Sequence, residues 1–221
     1  MERSDEQIKK DVIDNLYWDS RIDASKVMVE VSNGRVNVTG KVPTYGHVQK
    51  IRSTASRIDG VTEITDSFDV SYATPPELPT NEDIRERAES ILAWTPAIDE
   101  ADITVSSVDG VVTLTGTVDE FWKKAVAQEK IYELHGVIRL DNRLSVAPLK
   151  KTEDEVIARE VASALERDPM VDSLEVAVEV SAGAVTLRGS VPSLPSRRSA
   201  EKDASITAGV TAVINELEVA S

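Results

Sequence analysis

The chain consists of three copies of one sequence unit, and this repeat restricts its fold more than any other feature. A glycine-containing segment occurs three times, as VSNGRVNVTGKV, SVDGVVTLTGTV and VSAGAVTLRGSV, at offsets of 76 and then 73 residues. Self-similarity at a fixed period is typical of chains that string equivalent structural units together. The 221 residues are therefore predicted to form three tandem modules, at 4–73, 80–147 and 152–221, rather than one large domain.

Three glycine positions keep this register in every copy. They are Gly34, Gly110 and Gly183; Gly40, Gly116 and Gly189; and Gly60, Gly136 and Gly209. The first set lies in a hairpin and the third at a helix end, where a positive φ favours glycine; the second lies in a strand, where glycine suits a bulge or close packing. None forms the GxGxxG or GxxxxGKS/T pattern of a phosphate-binding loop. We interpret all of these glycines as structural.

The order of elements can be predicted within each copy from hydrophobic periodicity. In the first copy, Ile8, Val12 and Leu16 are spaced four residues apart and so lie on one face of a helix. Alternating apolar residues over 27–42, interrupted by Asn-Gly, predict two strands joined by a tight hairpin. A second helix and a last strand follow, so the predicted order is helix, strand, strand, helix, strand.

The first helix of each copy also has a predicted start. Ser4 with Gln7, and Thr152 with Glu155, have the spacing of a capping box, in which side chains satisfy the free amide groups of the first turn, and Thr80 with Asp83 is a poorer version of it. In the third copy this pair is one residue out of register with the repeat.

Composition and charge exclude several classes of protein. The chain has 25 Lys and Arg against 39 Asp and Glu, a formal charge of −14, which repels a phosphate backbone and argues against nucleic acid as a partner. It has no cysteine, so disulfides, thiolate nucleophiles and Cys-based zinc sites are excluded. No stretch approaches the roughly 20 apolar residues of a membrane span, so a soluble chain without a transmembrane segment is predicted.

No catalytic, cofactor or metal site is predicted from the residues. The two histidines do not occupy equivalent positions, and no nucleophile–base constellation is recognisable. Asp99, Glu100 and Asp102 cluster in the turn after the first helix of the second copy, but without the spacing of a calcium loop. Turn formation is the favoured interpretation. A cation-binding or hydrolytic protein that uses such acidic turns is the alternative of another class.

One sequence pattern recurs in all three copies. It reads Gly-x-Val-x-Val/Leu-x-Gly-x-Val, a helix, and then Gly-Val-x-x-aliphatic-x-Asn/Asp-x-apolar-x-Val. In the first copy its residues are Gly34, Gly40, Gly60, Val61, Ile64, Asp66, Phe68 and Val70. This pattern resembles the BON domain, a family named for bacterial osmotically inducible (OsmY) and nodulation proteins, and the resemblance covers nearly the whole chain.

The resemblance implies an α+β fold of three tandem αββαβ modules, each a three-stranded mixed sheet backed by two helices. It implies a non-enzymatic protein without cofactors that binds a phospholipid membrane surface or a protein partner in an osmotic or envelope-stress role. A cytoplasmic interaction or chaperone-like scaffold, strengthened by avidity, is the alternative. The charged start MERSDEQIKK lacks the apolar core of a leader, so a cytoplasmic location is expected, or a periplasmic one if a leader was removed.

One short segment is a candidate for lipid or partner contact. It comprises Phe121, Trp122, Lys123 and Lys124, at the start of the second helix of the second copy. An aromatic ring beside ammonium groups suits a membrane interface. Packing is the competing interpretation for Phe121, because Tyr45 and Leu194 align with it and indicate one packing position common to all copies.

Two further sets of equivalent residues are interpreted from their positions in the predicted helix and strand. Trp18 and Trp94 align near the end of the first helix and are expected to be partly buried packing residues. Asp66, Asn142 and Asn215 are polar at inward-facing positions of the last strand. A bulge or a hydrogen bond at the strand explains them best, and contact with a ligand is the alternative.

Overall fold

The computed structural model describes residues 3–70, 79–98 and 102–220, which form three modules with the same order of elements. The first module contains α1 (Asp5–Trp18), β1 (Val27–Ser32), β2 (Arg35–Val42), α2 (Tyr45–Ala55) and β3 (Glu63–Val70). The second contains α3 (Asn81–Ala93), β4 (Ile103–Val108), β5 (Val111–Val118), α4 (Phe121–Tyr132), β6 (Arg139–Asn142) and β7 (Ser145–Val146). The third contains α5 (Asp154–Arg167), β8 (Val176–Ser181), β9 (Ala184–Val191), α6 (Leu194–Ser205) and β10 (Ala212–Val219).

Each module has a three-stranded mixed sheet. The first two strands pair antiparallel through a two-residue hairpin. The last strand returns through the second helix and pairs parallel with the middle strand, as β3 does with β2 and β10 with β9. In the second module this last strand is split into β6 and β7, which both pair with β5. The predicted α+β fold of three αββαβ modules is confirmed.

The two helices of each module cover one face of its sheet and enclose an aliphatic core. In the first module, Ile8, Val12 and Leu16 of α1 are buried in one cluster with Val36 and Val38 of β2. The spacing of four predicted from the sequence puts this helical trio on the face that meets the sheet. Within the described ranges, no helix is long and apolar enough to cross a membrane.

The hairpins adopt the backbone that their sequences predict. Asn33 and Gly34 have φ values of 51° and 73°, and the equivalent pairs in the other modules are also positive at both residues. These values match the two-residue turn whose twist fits antiparallel strands. The third hairpin has Ala182 at φ 50°, a conformation that is uncommon for alanine and therefore needs support from elsewhere in the module.

That support comes from a carboxylate at the start of the first helix. Asp154 accepts hydrogen bonds from the backbone N–H groups of Ala182 at 2.8 Å and Gly183 at 2.9 Å. Asp5 binds the first hairpin in the same way, at 2.8 and 3.0 Å. One side chain thus connects the helix start to the hairpin at the sheet edge, a link that the sequence pattern does not predict.

Removing this link gives a testable effect on stability. Asp154→Ala is expected to lower the free energy of unfolding of the third module by about 2 kcal/mol, because two N–H groups lose a charged acceptor.

In the second module, Asn81 occupies the equivalent position and accepts only one bond, of 3.4 Å, from Gly110. Asn81→Asp is therefore expected to add about 1 kcal/mol. Urea denaturation checks both, with the exposed Glu155→Ala as control; unchanged midpoints in both variants would contradict the account.

The predicted helix starts are partly confirmed. Ser4 and Gln7 form the expected capping box at α1. The Thr152–Glu155 prediction is wrong, because α5 begins at Asp154 and its cap residue Glu153 accepts no side-chain hydrogen bond. Asp154 reaches the hairpin from the first helical position, as Asp5 does, so the helix begins in register with the repeat rather than one residue early.

Candidate functional site

Three large apolar side chains project into solvent from the same part of each module. Trp18 is 81% exposed, Trp94 is 85% exposed and Leu174 is 92% exposed. Trp18 ends α1, Trp94 directly follows α3, and Leu174 lies between the end of α5 and the start of β8. Among the described residues, Leu149, in the connection between the second and third modules, is the other large apolar side chain with similar exposure. We call Trp18, Trp94 and Leu174 the apolar tips.

The expectation that Trp18 and Trp94 are packing residues is wrong. Each follows the last buried residue of its helix, Leu16 or Leu92, by two positions. Two positions turn a side chain through about 200°, so the indole lies on the side of the helix opposite the core. Helical geometry applied to the last turn therefore already indicates an outward tryptophan in both copies.

The first apolar tip is aromatic and is flanked by ion pairs. Tyr17 is also exposed, and its ring meets that of Trp18 edge-on at 5.7 Å. Asp19 pairs with Arg21 at 2.7 Å. The hydrogen bonds from the Arg21 guanidinium and backbone lower the pKa of Asp19 to about 2. Nearby, Lys26 pairs with Asp23 at 3.5 Å. The tip therefore presents rings to solvent while its flanking charges neutralise each other.

The segment from Phe121 to Lys124 is held by contacts within the protein. Phe121 packs against the core of the third module, and the Trp122 indole N–H donates to the carboxylate of Glu120. Lys123 pairs with Asp119 at 2.6 Å, and this hydrogen bond lowers the pKa of Asp119. All four side chains from 121 to 124 are half-buried. Their contact with lipid or a partner stays a prediction.

The inward polar residues of the last strand link that strand to the second helix. The Asn215 side chain donates to the backbone carbonyl of Arg197 at 3.0 Å and accepts from the Leu217 N–H at 3.2 Å. Asn142 donates to the equivalent carbonyl in the second module, at 2.9 Å. Asp66 instead accepts a hydrogen bond from the guanidinium of a neighbouring arginine. The hydrogen-bond interpretation is confirmed for all three.

The acidic turns perform local capping. Asp23 accepts the backbone N–H of Ser25 at 3.3 Å, and Asp172 accepts that of Leu174 at 3.1 Å. Both carboxylates thereby cap a short 3₁₀ turn, which is the turn chemistry that the sequence predicts. Asp99 and Glu100 lie outside the described residues. Over 3–70, 79–98 and 102–220, no group of three or more His, Asp or Glu side chains is arranged to hold a metal ion.

Two grooves lie between modules, and both are lined by polar and apolar groups. The larger, of about 1150 Å³, runs between the sheet of the first module and strand β10 of the third. The second, of about 650 Å³, lies between α2 and α4 and includes His47 and Tyr132. The His47 ring is 2.7 Å from the Thr44 hydroxyl, and burial, followed by the charge of Lys50, lowers its pKa.

Comparisons with known proteins agree with the repeat. The family model described as the BON domain matches three times, at residues 4–72, 80–148 and 153–221. No curated protein gives a significant match. One similar solved structure is described as CdsD, a structural protein of the type III secretion system of Chlamydia trachomatis, with 14% identity over 97% of this chain and 92% of that chain and a TM-score of 0.27.

A second solved structure, of the C-terminal domain of CdsD from Chlamydia trachomatis, has 15% identity over 96% of each chain and a TM-score of 0.28. These scores are too low to relate the structures. The family matches span nearly all of the sequence and coincide with the modules described above. The chain therefore belongs to the BON domain family and carries three tandem copies of that domain.

Proposed function

We propose that this BON protein is a non-enzymatic binding protein that attaches to the surface of a phospholipid bilayer through its three apolar tips. The observation that carries the proposal is the exposure of Trp18, Trp94 and Leu174, one in each module. Scattered single apolar residues are normal on protein surfaces. Trp18 and Trp94 occupy aligned positions in two modules, and Leu174 lies seven positions after the aligned Arg167 in the third. This recurrence near the end of the first helix is what distinguishes these side chains.

The chemistry of the tips favours a bilayer interface as the partner. Tryptophan and tyrosine concentrate at the depth of lipid headgroups, because their rings are apolar at one end and form hydrogen bonds at the other. Trp18, Tyr17 and Trp94 supply such rings, and the cation next to Trp18, Arg21, is paired with Asp19. Three shallow insertions on one chain also bind more tightly together than any one alone.

The charge of the chain determines which lipids it prefers. A formal charge of −14 is repelled by an anionic bilayer, and this repulsion weakens as salt screens it. Membrane binding that is driven by insertion of apolar rings depends much less on the salt concentration. We therefore propose attachment to zwitterionic lipid that is driven by ring burial, in the osmotic or envelope-stress setting to which the family resemblance points.

Vesicle flotation tests the proposal. The intact chain is expected to float with phosphatidylcholine vesicles at low and high salt, and to float with phosphatidylglycerol vesicles more weakly at low salt than at high salt. Two results would contradict the account. One is no flotation with either lipid; the other is flotation with the anionic lipid alone that high salt abolishes, which would favour Lys123 and Lys124 instead.

A further inference from the structure

The first residue of the second helix contacts a different module in every copy. The Tyr45 ring of the first module lies 4.6 Å from the Tyr132 ring of the second. Phe121 of the second module packs against the core of the third. Leu194 of the third module is 8% exposed and belongs to the core of the first. The common packing position predicted from the alignment exists, and it lies between modules.

The residues that receive these contacts are also equivalent. Tyr132 ends α4 of the second module, and Ser56 follows α2 of the first at the aligned position. Ser56 is 2% exposed, and its hydroxyl accepts a 2.7 Å hydrogen bond from Arg198 of α6. Thus, at two separate contacts between modules, the start of one second helix meets the end of another. We call these contacts between modules joints. The match on both sides of each joint indicates one mode of docking.

The three joints follow one direction around the molecule. The first module docks on the second, the second on the third, and the third on the first. A head-to-tail interface of this kind gives an open chain of units unless the rotation closes it. We infer that the three second helices close a ring of pseudo-threefold symmetry, which holds the three BON modules as one body.

The side chains differ from joint to joint, and this difference favours one order of the three modules around the ring. At the joint between the first and second modules, two tyrosine rings meet, and burial together with Tyr45 raises the pKa of Tyr132 to about 12. At the joint between the third and first modules, the residue aligned with Tyr132 is the small Ser56, which accepts from Arg198, and Leu194 is buried in the core of the first module. Two large rings therefore meet at the first of these joints, whereas at the other the small Ser56 accompanies deep insertion of Leu194.

Ring closure has a consequence for the apolar tips. A rotation moves equivalent points around an axis without moving them along it, so aligned positions lie at one height. Trp18 and Trp94 are aligned, and Leu174 lies on the same segment of the third module. The ring therefore places Trp18 and Trp94 at the same height along its axis, and Leu174 lies seven positions after Arg167, the residue of the third module that aligns with them. The use of these tips for attachment to a bilayer rests on the proposed function, whereas the ring does not.

Cleavage of the folded chain tests the ring. A protease site is placed at the exposed residues 149–151, the folded full-length protein is cut there, and the products are separated by size at increasing dilution. The ring predicts that the third module stays bound to the other two, because its contacts at both joints remain. Separation of the two products at micromolar concentration, with each still folded by circular dichroism, would overturn it.

Paired variants make this result specific. Leu194→Ala is expected to weaken association of the cut products by roughly 30-fold or more, because it leaves a cavity in the core of the first module. Arg198→Ala removes the bond to Ser56 without touching a core and is expected to weaken it severalfold. The exposed Leu174→Ser should change nothing. If Leu174→Ser weakens association as much as Leu194→Ala, the joint is misplaced.

The ring and the proposed function fail separately. Cut products that separate, from an intact chain that still floats with vesicles, would remove the ring and leave lipid attachment standing. Cut products that stay together, from a chain that floats with no vesicle, would leave the ring and remove lipid attachment.

Discussion

Replacing Trp18 and Trp94 together with serine is expected to weaken binding to phosphatidylcholine vesicles about a hundredfold. Each indole that leaves water for the interface contributes about 1.5 kcal/mol, which corresponds to roughly tenfold in affinity. Both rings are more than four-fifths exposed, so their removal should shift the free energy of unfolding by less than about 0.5 kcal/mol. Titration of vesicles against the two single variants and the double variant measures the effect.

Trp122→Ser is the matched control for this experiment. Its indole is half-buried and bonded to Glu120, so it offers lipid less surface than the indoles of Trp18 and Trp94 do. The substitution should leave vesicle affinity within about threefold of the parent. A large loss from Trp122→Ser, with no loss from the double variant, would favour the Phe121–Lys124 segment and contradict the assignment of the tips.

Gly116→Ala is expected to unfold the second module. A side-chain Cβ at this position would lie 1.6 Å from the backbone carbonyl oxygen of Asp102, and the residue has a φ of 120°. Neither the carbonyl nor the paired strand can move without breaking the ladder that joins Gly116 to Ile103. Overpacking and backbone strain together should cost at least about 3 kcal/mol, which is a large part of the stability of a module of about 70 residues.

The effect can be followed by amide hydrogen exchange. Protection should be lost throughout β4 and β5, because the strands separate together. Thr115→Ala, one position earlier on an exposed face of β5, is the control and should retain protection. Native-like exchange in Gly116→Ala would show that the strands tolerate a side chain there, and the structural interpretation of the recurring strand glycines would then be wrong.

The fold could be predicted because it depends on local patterns repeated three times. The spacing of Ile8, Val12 and Leu16, and the hairpin at Asn33, each determine an element from neighbouring residues. The start of α5 was predicted incorrectly from Thr152, because it depends on Asp154 reaching a hairpin 28 residues away. A contact across the module decided the boundary, and local capping rules do not include it.

The exposure of Trp18 and Trp94 was predicted incorrectly, and the surface of the Phe121–Lys124 segment depends on contacts that residue type alone does not reveal. Lys123 forms an ion pair with Asp119, and Trp122 donates a hydrogen bond to Glu120. The position of Trp18 after Leu16 contained the necessary signal, since two residues turn a helix to its far side. The joints between modules were predicted as a shared packing position, but which module receives each residue is set by tertiary docking.

Fluorescence of single-tryptophan proteins tests the central claim most directly. The chain has three tryptophans, so three variants can each retain one, with phenylalanine at the other two positions. With vesicles of brominated phosphatidylcholine, the proteins retaining Trp18 or Trp94 should show blue-shifted emission and quenching, and the protein retaining Trp122 should show neither. Quenching of Trp122 alone, or of none of the three in a protein that floats with vesicles, would contradict attachment through the apolar tips.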